Sequence, residues 1–85
     1  MKEFRYVITD PEGIHARPAG ILVKEAKQYA CSIKLSKDGK AVDCKKLLAI
    51  MSLAAKTGNE VVLTFDGEDE DAAYEAVSKF MQENL

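Results

Sequence analysis

The sequence predicts a two-layer sandwich of helices on a sheet, and three observations point to it. Stretches of strand period and stretches of helical period interleave in the order strand, helix, strand, strand, helix, strand, helix. Between two of the strands stands Lys37-Asp38-Gly39-Lys40, and Asp-Gly is the strongest short hairpin signal. The 85 residues suit one domain, which at this size buries roughly 60% of its unfolded surface, enough for a small core without metal or disulfide staples. The pattern leaves the strand order open.

Taken in order, Phe4, Tyr6 and Ile8 alternate with Arg5, Val7 and Thr9 as a strand with one covered face. Asp10-Pro11-Glu12-Gly13 has the chemistry of a type I turn, with proline second and glycine fourth. Ala19, Leu22, Val23 and Ala26 then follow i, i+3, i+4, i+7 spacing, which predicts a helix from about Ala16 to Gln28. Ile33 and Leu35 mark a second strand, and Ala41 and Val42 return after the hairpin. Asp43 through Leu53 reads as a compact helical patch with Leu47, Ile50 and Met51 at packing spacing. Leu48 and Leu53 do not fit the same narrow face, so the surplus apolar residues either form a docking surface or close the end of the core. Gly58-Asn59 reads as the end of that helix, and Val61, Leu63 and Phe65 mark the last strand. Asp69 is placed to cap a final helix, with Glu70 and Asp71 in its first turn and Ala73, Ala76, Val77 and Phe80 on its apolar face.

Composition excludes several function classes. Apolar content of 47% and charged content of 31% are those of a soluble globular protein. A net charge of −2, no tryptophan and no strand with clustered exposed aromatics argue against nucleic acid as a partner. No apolar run approaches the roughly 20 residues of a membrane span, and the first residues do not resemble a signal peptide, so the expected compartment is the cytoplasm. Cys31 and Cys44, separated by twelve residues and with a single histidine in the chain, lack zinc-site spacing. They read as buried or half-buried thiols, and no metal or other cofactor is expected.

The chemistry concentrates in Gly13-Ile14-His15-Ala16-Arg17-Pro18-Ala19, which holds the only histidine. His15 falls at or next to the N-cap of the first helix, where the first N–H groups have no helical partner and the dipole favours an anion. Pro18 suits a first turn because its φ is fixed and its missing N–H would be unbonded there. Arg17 adds a permanent cation with a fork suited to phosphate, and a neutral imidazole nitrogen can accept a phosphoryl group. The residues alone reach an anion-binding histidine at a helix start.

That heptapeptide resembles the active-site signature of HPr, the histidine phosphocarrier of the sugar phosphotransferase system. The likeness runs on through Lys40-Ala41-Val42, Ile50-Met51-Ser52-Leu53 and the stretch from Gly67 to Ala73. The resemblance implies an α+β open-faced sandwich in which three helices cover one face of a four-stranded antiparallel sheet. It implies that His15 accepts a phosphoryl group at Nδ1 from enzyme I and donates it to enzyme IIA domains of sugar transporters. Arg17 would assist the transfer, and Ala16, Arg17 and Pro18 would form the phosphoryl cradle. Lys24, Lys27, Lys46, Leu47, Leu48 and Met51 would form the docking face of a monomeric protein; by physics alone Lys24 and Lys27 read first as solvated charges, an order the resemblance reverses.

Two departures stand out. Lys46 occupies the place of a regulatory serine that many relatives in Gram-positive bacteria carry, and Ser52 is not its substitute. Glu12 replaces a small polar residue, and its carboxylate either repels a phosphorylated His15 or points into solvent. The competing reading is an HPr-like regulatory module that docks on enzymes or transcription factors without carrying phosphoryl flux. His15, Arg17 and Pro18 argue against it, because a pure binder needs no nucleophile.

Overall fold

The computed structural model describes residues 1–85. Its elements are β1 (Lys2–Val7), α1 (Ala16–Ala26), β2 (Ser32–Lys37), β3 (Lys40–Asp43), α2 (Leu47–Ser52), β4 (Glu60–Asp66) and α3 (Glu70–Asn84). The four strands form one sheet in the order β1-β4-β2-β3, with every neighbouring pair antiparallel. The fold is thus the α+β open-faced sandwich, with β4 made late in the chain yet placed inside the sheet.

Strand alternation does what the period predicts. Ile33 and Leu35 of β2 and Val61, Leu63 and Phe65 of β4 are buried, while Lys34 and Glu60 face out. The inward residues meet Leu22 and Ala26 of α1, and Ala73, Val77 and Met81 of α3, in one core of 20 buried residues. Phe4 and Tyr6 pack on its margin, where Tyr74 sets its ring edge-on to Phe4 and Phe65. At the β2–β3 hairpin, Asp38 and Gly39 take φ of 53° and 83°, the left-handed pair that an Asp-Gly turn supplies.

Several boundaries differ from expectation. Helix α1 ends at Ala26, not Gln28, because Gln28 and Tyr29 bond back to Glu25 and Ala26 in tighter turns. Asp43 belongs to β3, opposite Lys34, and its carboxylate accepts the Lys45 N–H. Helix α2 therefore starts only at Leu47, with Lys46 as N-cap. Within it Ile50 is buried and Leu53 follows it inward, whereas Leu47 and Met51 are 39% and 38% exposed and Leu48 is 81% exposed. Gly58 does not end this helix: the chain leaves it through Ala54, at φ 51°, and Gly58 donates its N–H to Ile8 beside the end of β1.

Asp69 holds the N-cap position of α3 but makes no side-chain bond to that helix. Its carboxylate reaches the Ala30 and Cys31 N–H groups at 2.8 and 2.9 Å. Lys45 meets the same turn from the other side, donating from Nζ to the Tyr29 and Cys31 carbonyls at 2.6 and 2.7 Å. On α3, Ala76 and Phe80 are only half-buried, and Met81 takes the fully buried place.

Candidate functional site

The loop between β1 and α1 is held from four directions. Gly13 donates its N–H to the Asp10 carbonyl at 2.9 Å, closing the turn, and the Asp10 carboxylate accepts the Glu12 N–H at 2.8 Å. The Thr57 hydroxyl also donates to the Asp10 carbonyl. The Leu85 carbonyl accepts from the Thr9 and Asp10 N–H groups, tying the loop to the end of α3. Ile14 is buried and donates to the Ala55 carbonyl at 3.0 Å. Gly13 sits at φ 69°, and a Cβ there would lie 2.4 Å from the Ala55 oxygen, so only glycine lets the two segments approach this closely.

This frame delivers His15 as the N-cap of α1, in extended backbone, with its carbonyl accepting the Ala19 N–H. The imidazole makes no capping bond. The Ala16 and Arg17 N–H groups have no intramolecular acceptor, and no acidic residue occupies the first turn. Pro18 is buried and presents no N–H. A pocket of about 190 Å³ opens here, lined by Asp10, His15, Arg17, Pro18, Ile21 and Asn84. The His15 side chain is 37% exposed, with Nε2 3.6 Å from a Glu12 carboxylate oxygen and 3.9 Å from one of Asp10. Glu12 thus faces His15, although its side chain is 73% exposed.

The pocket gathers His15, Arg17 and Pro18, and Ala16 lies beside them in the first turn. Ile21, which is 48% exposed, and Lys24 follow Arg17 at i+4 and i+7 along one stripe of α1. Lys24 stands about 14 Å down the axis from His15, and the exposed Lys27 lies beyond the last turn. Helix α2 packs against α1 and carries the outward Leu47, Leu48 and Met51, with the exposed Lys46 at its start. Sequence reading saw Asp10 only as a turn residue and missed Ile21, Thr57 and Asn84. The spacing of Ile21 from Arg17 was a signal within reach; Asn84 and Thr57 come from distant parts of the chain and carry none.

The cysteines are buried thiols. Burial pushes Cys44 up to about 12 and Cys31, also hydrogen-bonded to Asp69, up to about 11, so both stay protonated and unreactive near neutrality. No cluster of histidine, cysteine and carboxylates is arranged to hold a metal ion, and no helix is long and apolar enough to cross a membrane.

Comparison with known proteins matches this arrangement to one family. The family model described as the PTS HPr component phosphorylation site matches residues 2–83. The phosphocarrier protein HPr of Lysinibacillus sphaericus is 42% identical over 83 residues, covering 98% of this chain and 94% of its own. A solved histidine-containing phosphocarrier protein of Mycoplasma superposes with a TM-score of 0.93 at 36% identity, over 96% of this chain and 93% of that one. The HPr-like protein Crh of Bacillus subtilis is 44% identical over 73 residues, 86% of each chain. A crystal structure of Crh, described as an intertwined, domain-swapped dimer, superposes with a TM-score of 0.78 at 39% identity, over 100% of this chain and 98% of that one. Over residues 2–83, and in its overall fold, the chain belongs to the HPr family of the phosphotransferase system.

Proposed function

We propose that the protein is a phosphocarrier in which His15 accepts a phosphoryl group from the phosphohistidine of enzyme I and passes it to enzyme IIA domains of sugar transporters. One observation carries this reading: the imidazole stands at a helix N-terminus whose first N–H groups are unpartnered, beside Arg17, in a pocket open to solvent. A ring nitrogen of His15 forms the new N–P bond as the donor's N–P bond breaks, and that electron pair returns to the donor imidazole. Arg17 and the Ala16 and Arg17 N–H groups balance the charge of the group in flight, while Pro18 fixes the first turn. The transfer calls for positioning and electrostatics and needs no metal.

Leu47, Leu48 and Met51, with Ile21 beside the pocket, are the apolar centre of the proposed docking face, and Lys24, Lys27 and Lys46 its basic rim. Lys46 is the N-cap of α2, where a cation opposes the dipole; that choice makes sense if the charge meets an acidic partner. A lysine there offers no hydroxyl to an HPr kinase. We place the working protein in the cytoplasm as a monomer.

The match to Crh favours a second reading, a regulatory module that docks without carrying flux. One experiment separates the two. With enzyme I and phosphoenolpyruvate the wild type is expected to gain one acid-labile, alkali-stable phosphoryl group, and His15→Ala to gain none while melting at the same temperature. Labelling of the variant at the wild-type rate, or no labelling of the wild type, would sink the phosphocarrier reading.

A further inference from the structure

The Nε2 edge of His15 faces the Glu12 and Asp10 carboxylates at 3.6 and 3.9 Å. The turn that sets this approach is tied down by several bonds: Asp10 is bonded through its carbonyl, its N–H and its carboxylate, and Gly13 packs closely against Ala55. Which nitrogen of an imidazole bears the proton is set by the acceptors around the ring, and acidic oxygens on one edge draw the proton there. The charged groups around the ring are Asp10 and Glu12 from the loop and Arg17 from α1; α3 contributes only the neutral Asn84.

We propose that Glu12, together with Asp10, is a positioning residue that keeps the proton of His15 on Nε2 through a whole cycle of phosphoryl loading and release. The proposal rests on His15 as phosphoryl acceptor and adds to it a residue and a role. With the proton on Nε2, the Nδ1 lone pair is free to bond phosphorus. The loaded ring then carries a positive charge, which the carboxylates stabilise. On release an acceptor nucleophile (the partner's imidazole, or water in the partner-free test) bonds phosphorus as the N–P bond breaks, its electron pair returns to Nδ1, and a neutral imidazole departs with its proton still on Nε2. No proton has to move in either direction. Without the carboxylates the loaded ring loses that proton more easily, and the leaving group becomes an imidazolate, which departs poorly. Glu12 therefore makes the loaded protein a readier donor.

The test loads the protein without any partner, using phosphoramidate, which gives up its phosphoryl group and leaves as ammonia. Loss of the group is followed by phosphorus NMR from acid to alkaline pH for wild type, Glu12→Gln and Glu12→Asp. Release is expected to slow as the ring loses its proton. In Glu12→Gln the decline should set in at lower pH, and on its alkaline side release should slow by up to about fivefold, the most an exposed ion pair contributes. Glu12→Asp should retain part of the wild-type behaviour. Nitrogen NMR of the unloaded wild type should find the proton on Nε2. Superimposable profiles for wild type and Glu12→Gln, a proton found on Nδ1, or a failure of phosphoramidate to load His15 would each overturn the proposal. Enzyme I takes no part, so a protein that shows the shift yet is not loaded by enzyme I sinks the phosphocarrier reading and leaves this one standing.

Discussion

Helix α3 opens on Asp69, Glu70 and Asp71, whereas α1 opens on His15, Ala16 and Arg17 with no acidic residue in its first turn. Both ends present the same orphan donors and the same positive end of a dipole. At α3 the chain supplies its own anions: Glu70 accepts the Gly67 N–H at 3.2 Å, and Asp69 binds Ala30 and Cys31 across the fold. At α1 no acidic side chain stands in the first turn, and a cation stands two residues after the cap. The chain thus places carboxylates in the first turn of α3 and withholds them from the first turn of α1, the arrangement the proposed phosphoryl site calls for. The two carboxylates near His15 flank the ring edge instead of capping the helix.

That contrast can be broken from either side. The largest effect is expected from Arg17→Ala, which removes the one cation of the pocket: a charge-assisted contact is worth about 1.5–3 kcal/mol, so transfer from enzyme I should slow roughly 10- to 100-fold. An unchanged rate would make Arg17 a bystander. Ala16→Asp gives α1 the kind of first turn that α3 has. It should raise stability by about 0.3–1 kcal/mol in thermal or denaturant unfolding and slow loading of His15 roughly fivefold, because the helix start then carries its own anion.

Asp69→Asn is the opposite control, with no effect expected on loading. The Ala30 and Cys31 N–H groups, Ala30 foremost, hold the Asp69 carboxyl below its ordinary value of 3.8. A carboxyl depressed in this way stabilises the fold fully above that ordinary value, and the contribution is lost as pH falls through it towards the lower folded value. Wild-type melting temperature should therefore be flat above about pH 5 in respect of this group and drop below about pH 4. The Asp69→Asn variant should melt lower at neutral pH and show a shallower acid decline. Parallel pH curves for the two proteins would show that the carboxylate's charge is not what holds the turn.

Much of this was legible in the sequence, and the line between what was and what was not follows distance along the chain. The strands, the Asp38-Gly39 hairpin, the closed turn before Gly13 and the placement of His15 at a helix start all depend on neighbours a few residues apart. Helix α2 starts later than the residue types suggest because Asp43 and Lys45 have acceptable helical chemistry, whereas the pairing of Asp43 with Lys34 and the bond from the Cys44 N–H to the Ile33 carbonyl keep that stretch extended. Asp69 was assigned the cap its position offers, yet Ala30 and Cys31, 39 and 38 residues away, compete better for its carboxylate. Asn84 and Thr57 reach the loop and its pocket only because the sheet brings three distant segments together. The orientation of Glu12 followed from turn geometry, which residue types alone do not set.

The sheet order has a consequence for how the molecule comes into being. Strand β4 lies between β1 and β2, so β1 has no partner until residues 60–66 are in place, and Lys2 must find Phe65 across most of the chain. Such non-local closure is entropically costly and is made late in folding. The loop that presents His15 hangs from the end of β1 and is fastened by Ala55, Thr57 and Leu85. A half-folded chain, with only its local helices and the β2–β3 hairpin formed, therefore holds the histidine without the setting around it. The setting of His15 thus depends on the long-range pairing of β1 with β4 as much as on the local start of α1.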